Sequence, residues 1–351
     1  MKIKGVEVSK MQIGVLVIVW AAFLMTFLGR LAWPPIMPVA AKDLGISSKE
    51  AGSFMTAFYI GYVVTQLPGG LLTDRFGYRK VILVSFVLMG LSTALVGTIQ
   101  SYNQGLIYRL ISGLGSGSVY AACISAIFDW FPDKGRGTAM GFFFTASSLG
   151  VTTVNLLVPT VSSYFGWQGA FYFIGLLPMV ALVFSLFLLK ERKAATPRRS
   201  SANAVNFWSN LKSLLKNKNL MITACSGFWV MWATWGTATW ANTYLHKALG
   251  LSLIQAGAIM SLYGLAALIC KPVSGMLADI FRNRKKQLLF WMIILFAPLL
   301  LIFGLNTNTA LLYVLAPLLG IFAFIYTPVL TLFVGEQVEH SQVASANGLV
   351  N

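Results

Sequence analysis

The chain has 351 residues, 57% of them hydrophobic and only 10% charged, with a formal net charge of +16. A soluble globular domain carries about 25% charged residues. The composition therefore excludes an ordinary soluble enzyme or binding module and implies a polytopic helical membrane protein. So high a positive charge would suggest nucleic acid in a soluble protein, but its distribution along the chain gives a different reason. Cys123, Cys225 and Cys270 all fall inside apolar runs, without disulfide or zinc-ligand spacing, and read as packing residues.

Ten apolar segments are predicted, at 11–41, 50–72, 80–99, 103–128, 137–159, 168–189, 220–245, 254–278, 287–305 and 309–333. The first exceeds what a bilayer needs, and Pro34, Pro35 and Pro38 kink its outer part. Lysines precede it as in a signal peptide. No small-residue cleavage site with a soluble domain behind it follows, so it reads as an uncleaved helix. The second and third segments are joined by Pro68-Gly69-Gly70-Leu71-Leu72-Thr73-Asp74-Arg75-Phe76-Gly77-Tyr78-Arg79-Lys80, a short, charged, glycine-rich turn.

Numbering the connections from the N-terminus, those on one side of the membrane hold 20 of the 26 basic residues, and those on the other side only Lys42, Lys49 and Lys247. The positive-inside rule then puts the N-terminus in the cytoplasm. The basic charge is cytoplasmic anchoring, and no nucleic-acid partner is expected. Residues 190–219 form a long basic linker after six segments and before four. Val205, Trp208, Leu211 and Leu215 recur there at helical spacing among lysines, which predicts a short amphipathic helix on the inner membrane face. The halves repeat weakly. Gly70 to Asp74, then Arg75, Arg79 and Lys80, closes the second segment, and Gly275 to Asp279, then Arg282, Arg284 and Lys285, closes the eighth. Internal repeats of this kind are common in secondary transporters.

The turn at 68–80 resembles the major facilitator superfamily signature, with each fixed position of Gly-x-Leu-x-Asp-Arg-x-Gly-x-Arg-Lys present. Arg109 followed by Gly113 and Gly115 resembles the helix 4 signature, with glycines (Gly117 included) that allow close helix approach. Phe131-Pro132 to Gly137 resembles the start of helix 5, and Gly166-Trp167 to Phe171 that of helix 6. The resemblance implies an all-α polytopic membrane fold of two pseudo-symmetric bundles. Residues 1–189 would form a six-helix bundle, 190–219 the cytoplasmic linker and 220–351 an incomplete second bundle. The family has twelve helices. Val343 to Asn351 look like the start of helix 11, so the sequence reads as a truncated chain or fragment with about ten.

A narrower resemblance is to the anion:cation symporter branch, which carries sugar acids and other organic anions. Arg30 stands 15 residues before Gly45, as the helix 1 arginine of that branch does. Tyr62 falls where the branch has a substrate-facing tyrosine, and Ser147 at a polar helix 5 position. The sequence also departs from the branch. Gly29 and Ser116 stand where such symporters often have carboxylates that carry protons, which favours exchange of one anion for another over proton symport of that design. Val158-Pro159 replaces the helix 5 glycine-proline cluster of drug:proton antiporters.

All ten acidic residues fall in connections or at helix ends, whereas Arg30, Arg109 and Lys271 lie in or near membrane interiors. A base at mid-membrane costs roughly 2.5–3.5 kcal/mol, and a bound anion would compensate, since an arginine fork suits a carboxylate or phosphate. Each base has a second reading. Arg30 and Lys271 are placed to snorkel to an interface, and Arg109 matches a superfamily-wide arginine whose role is structural or gating. The seventh segment carries Trp229, Trp232, Trp235 and Trp240, either as packing and interfacial anchors or as a stacking wall for substrate; Tyr326, before Pro328, is a weaker candidate.

The expected function is secondary transport of a small organic anion (a carboxylate, sugar acid or phosphate ester) in the inner membrane. The chain is expected to act as a monomeric symporter or exchanger with a coupling ion or counter-anion, without cofactor. Binding residues would be Arg30, Tyr62, Arg109, Ser147, Lys271, Trp240 and Tyr326. By the resemblance, Asp74 would face the N-terminus of helix 11, where a helix dipole favours its charge, and Asp279 the region of Gly135-Arg136-Gly137. Gly70, Asp74, Arg75, Gly77, Arg79, Lys80, Asp279 and Arg136 would thus gate the cytoplasmic side. The alternatives are a multidrug/proton antiporter of the same superfamily and a nonfunctional fragment. A membrane-embedded enzyme would need a buried nucleophile or metal set that the sequence does not offer.

Overall fold

The apolar runs are helices. The structure is a computed structural model that describes residues 2–3, 6–7, 9–66, 68–131, 133–190, 212–281, 284–338, 346 and 349–350, with the backbone alone at 2, 3, 6, 7, 74, 133–138, 272, 275, 276 and 279. A two-residue antiparallel bridge, β1 (Lys2–Ile3) with β2 (Val6–Glu7), precedes them. The chain packs into two units, Met1–Thr196 with Asn242–Ser261, and Pro197–Ala241 with Leu262–Asn351.

Unit 1 opens with α1 (Lys10–Leu31), started by a capping box in which Ser9 and Gln12 satisfy each other's backbone N–H. It stops ahead of Pro34 and Pro35, which cannot donate to carbonyls a turn earlier. After the bend comes α2 (Met37–Asp43), with Trp33 buried in the bend and its Nε1 donating to Ala51 O at 2.8 Å. The chain continues through α3 (Ser48–Gln66), α4 (Gly69–Phe76), α5 (Tyr78–Val96), α6 (Tyr102–Gly117), α7 (Val119–Trp130) and α8 (Asp133–Leu188). The 56 residues of α8 are two helices broken at Gly166, where φ is +72°.

The remaining helices are α9 (Lys218–Lys247), α10 (Leu253–Ile280), α11 (Lys285–Ile294), α12 (Phe296–Leu305), α13 (Thr309–Phe324) and α14 (Tyr326–Gly335). The last turns of α9 and the first turns of α10 belong to unit 1. There Asn242 Nδ2 donates to Asn155 Oδ1 at 2.9 Å, with both residues buried.

Among the described residues, 7 helical stretches are long and apolar enough to cross a membrane. One of them, Ala139–Leu188, contains the Gly166 break and accounts for two of the predicted spans. The predicted spans at 50–72 and 220–245 are helical in α3 and α9 but are not among those stretches. These two helices carry Tyr59, Tyr62, Thr65 and Gln66, and Thr234, Thr237, Thr239 and Asn242, which lower their mean hydropathy.

Two departures from the sequence reading concern connections. The glycine-rich turn at 68–80 is mostly the helix α4, ended by Gly77 at φ +81°, a conformation that favours glycine. The expected amphipathic helix falls largely on 191–211, outside the described residues.

Close crossings set the core of unit 1. Gly105, Arg109, Gly113 and Gly117 recur every fourth residue along α6, and this stripe meets α3. A Cβ on Gly113 would stand 2.0 Å from Phe58 O, and one on Gly117 2.1 Å from Tyr62 O. In unit 2 the same device joins α13 to α10, where a Cβ on Gly320 would stand 2.2 Å from Tyr263 O. Phe58 and Tyr263 are separated by the same 205 residues as Asp74 and Asp279, so the weak sequence repeat is matched by a repeated helix crossing.

Candidate functional site

In unit 1 the site grows out of the end of α1. Phe27 and Arg30 are one helical turn apart, so they share a face. The α6 glycine stripe draws α3 inward, bringing Phe58, Tyr59 and Tyr62 against that face. The Arg30 guanidinium carbon lies 4.5 Å from the Tyr62 ring centroid, 4.8 Å from Phe27, 5.6 Å from Tyr59 and 5.9 Å from Phe58. Arg30 does not reach out to the surface: it is 6% exposed. Its cation is stabilised by ring faces (each about 0.5–2 kcal/mol), and water is kept from much of it.

Arg109, one of the expected ligands, lies directly behind Arg30 and is 0% exposed. Its Nη1 donates to Gly29 O at 2.7 Å, and its Nη2 to Arg30 O at 2.8 Å and to Met55 Sδ at 3.3 Å. Its Nε donates to Phe54 O at 3.4 Å, and the Phe58 ring centroid is 4.7 Å from its guanidinium carbon. Gly29 and Ser116, where proton-carrying carboxylates were sought, are buried, and Ser116 Oγ donates to Ser112 O at 2.9 Å.

Ser147, on the first part of α8, is half-buried and donates from Oγ to Phe144 O at 2.9 Å.

In unit 2 a second cation is set among rings. Lys271 Nζ lies 5.3 Å from the centroid of Phe324, which also meets Tyr263 at 5.2 Å and Trp235 at 6.1 Å. Tyr263 Oη donates to Thr234 O at 3.0 Å, and Thr234 Oγ1 to Ala323 O at 3.0 Å, tying α9, α10 and α13 together. Tyr326 is buried at the start of α14. Trp240 is 42% exposed, and Trp229 and Trp232 are more exposed still, so of the four tryptophans on α9 Trp235 joins the Phe324 cluster.

Of the gating set, Gly70 is exposed, Arg75 lies exposed over the Phe76 ring, Gly77 caps α4 and Lys80 is exposed. Arg79 Nη2 donates to Leu186 O at 2.9 Å. The side chains of Asp74, Arg136 and Asp279 lie outside the described residues. The described carboxylates in helices or caps, Asp43, Glu50, Asp129 and Glu336, all stand at helix ends. Glu336 pairs there with Lys285.

Sequence reasoning missed Phe27, Phe58 and Tyr59 around Arg30, Phe324 beneath Lys271, and Tyr263 against Phe324. The signal for Phe27 was its helical spacing from Arg30. For Tyr263 it was the repeat itself, in which it is the counterpart of Phe58.

The family model of the Major Facilitator Superfamily matches residues 19–351. The chain is 27% identical over 274 residues to a probable galactarate/D-glucarate transporter of Bacillus subtilis, covering 71% of this chain and 60% of the relative. It is 31% identical over 257 residues to the probable anion transporter 6, chloroplastic, of Arabidopsis thaliana, covering 70% and 50%. With the hexuronate transporter of Bacillus subtilis it shares 24% identity over 356 aligned residues, covering 98% and 84%. The chain thus spans 60% and 50% of the length of the first two of these relatives. Its fold is similar to the crystal structure of a bacterial homolog of the human lysosomal transporter Spinster in its inward-facing, unoccupied conformation. The TM-score is 0.86 at 14% identity, over 98% of this chain and 79% of that one.

Proposed function

The chain belongs to the Major Facilitator Superfamily, and on that premise we propose that it is a secondary transporter of a small organic anion whose carboxylate is held by Arg30. The observation that carries this reading is a buried arginine in a ring of aromatic faces, with the described carboxylates away at helix ends. A guanidinium in such surroundings gains from a bidentate carboxylate, and exclusion of water strengthens the pair. Tyr62, whose ring stands nearest the guanidinium, flanks the bound group. Relatives named for galactarate/D-glucarate, hexuronate and cis,cis-muconate support a carboxylate substrate. Lys271 serves as a second anion-attracting group within unit 2.

The coupling we infer is exchange of one anion for another, because Gly29 and Ser116 cannot carry protons. In this reading the N-terminus is cytoplasmic, on the strength of the basic bias among connections; an N-terminal reporter read as external would contradict that orientation.

Uptake of labelled glucuronate, glucarate and muconate into vesicles containing the purified chain tests the proposal. Uptake is expected only with an anion inside the vesicle and independent of a pH gradient. Uptake into empty vesicles driven by a proton gradient would sink exchange. Drug–proton antiport with no carboxylate transport would sink the anion reading and favour the multidrug alternative.

A further inference from the structure

We propose that Arg109 is a positioning residue for Arg30, whose guanidinium replaces the backbone donor that Pro34 removes from the end of α1. In a continuous α-helix the carbonyl of residue 30 accepts from the N–H of residue 34. Residue 34 is proline and has none. Arg109 Nη2 takes that place at 2.8 Å, while Nη1 holds the adjoining Gly29 carbonyl at 2.7 Å. Carbonyls at a helix C-terminus carry partial negative charge, so a cation is the favoured donor.

The placement is built into α6. Arg109 sits in the stripe Gly105, Gly113, Gly117, and the glycines bring α3 close enough for the arginine to pass Phe54 and Phe58 and reach α1. Both terminal nitrogens and Nε point at protein atoms, and the residue is fully buried. Its fork is committed to the backbone from which Arg30 projects. A lysine has one terminal nitrogen in place of the two that serve the Gly29 and Arg30 carbonyls, and lacks the planar fork that fixes their geometry. The strut thereby fixes the direction in which the Arg30 side chain leaves the helix.

This inference rests on the reading that Arg30 binds the anion, and a double-mutant cycle separates the two. The dissociation constant for glucuronate or muconate, whichever the native chain binds, is measured for the native chain, Arg109→Lys, Pro34→Ala and Arg109→Lys/Pro34→Ala, with Arg30→Ala alongside. Arg109→Lys is expected to weaken binding on the order of tenfold, the size of a charge-assisted hydrogen bond. In the Pro34→Ala background the restored N–H supplies Arg30 O, and the penalty of Arg109→Lys shrinks. An equal penalty in both backgrounds overturns the strut and makes Arg109 a direct ligand. Unchanged binding in Arg30→Ala overturns the anion-site reading instead. If Arg109→Lys does not fold, recovery of folded protein by added Pro34→Ala, read by size-exclusion and thermal melting, supports the strut; failure to recover counts against it.

Discussion

Two proline breaks lie near the expected anion-binding cations, one at Arg30 and one at Phe324, whose ring lies under Lys271, and they are held in different ways. In unit 1, Pro34 denies a donor to Arg30 O, and the replacement comes from Arg109, 79 residues away on another helix. In unit 2, Pro328 denies a donor to Phe324 O, and the Thr327 hydroxyl, 3 residues along, supplies it at 2.8 Å. A local hydroxyl repairs a break cheaply and joins only the consecutive helices α13 and α14. The long-range strut couples α6 to α1, so the direction of Arg30 depends on the packing of α6 and α3. Among the described contacts, four rings lie around Arg30 and the Phe324 ring lies beneath Lys271.

The largest effect expected from breaking this contrast is at Arg109. Arg109→Ala strands the Gly29 and Arg30 carbonyls in a buried site, at roughly 1–3 kcal/mol each, and leaves a cavity besides. Thermal denaturation in detergent should show it as the most destabilised variant of the series.

Next come the crossings, where the two units should behave alike. Gly113→Ala and Gly320→Ala each drive a Cβ into a backbone oxygen, at 2.0 and 2.2 Å. Overpacking of this kind costs about 1–3 kcal/mol. In the same melts the two should lose comparable stability, but Gly113→Ala should weaken anion binding more, because α3 carries Tyr62. Equal binding losses would remove the distinction between the units.

Thr327→Val takes away a single neutral hydrogen bond and should cost about 1 kcal/mol, well short of Arg109→Ala. A loss as large as that of Arg109→Ala would show that the local repair matters as much as the long-range one. The smallest change expected is in affinity at Lys271. Lys271→Met should weaken anion binding less than Arg30→Met, as read by titration of both variants with the same carboxylate.

Much of this was legible in the chain. Apolar runs dictate where helices lie, and Arg30 stood out because a base in a membrane helix must be compensated. The repeat of Asp74 and Asp279 anticipated the paired crossings. The strut was harder to see. Sequence displays side chains, whereas the partner of Arg109 is a carbonyl, and a carbonyl's need is visible only through the proline four residues on. Pro34 was read as a kink, without its consequence for Arg30 O. The rings around Arg30 come from two helices, and only the Phe27 spacing within α1 hinted at them. The turn at 68–80 looked like a loop because of its charges and glycines, yet Leu71, Leu72 and Phe76 let it continue as the helix α4. The row of tryptophans on α9 did not show which would meet another ring: Trp240 is 42% exposed, whereas Trp235 packs on Phe324.

The measurement that tests the account most directly is a thermal-shift titration of the native chain and of Arg30→Ala with glucuronate, glucarate and muconate. Ligand binding to the native state stabilises by mass action, about 2.7 kcal/mol at one hundred times the dissociation constant. The account predicts that at least one of these carboxylates raises the melting temperature of the native chain and leaves Arg30→Ala unmoved. An equal shift in both would contradict it.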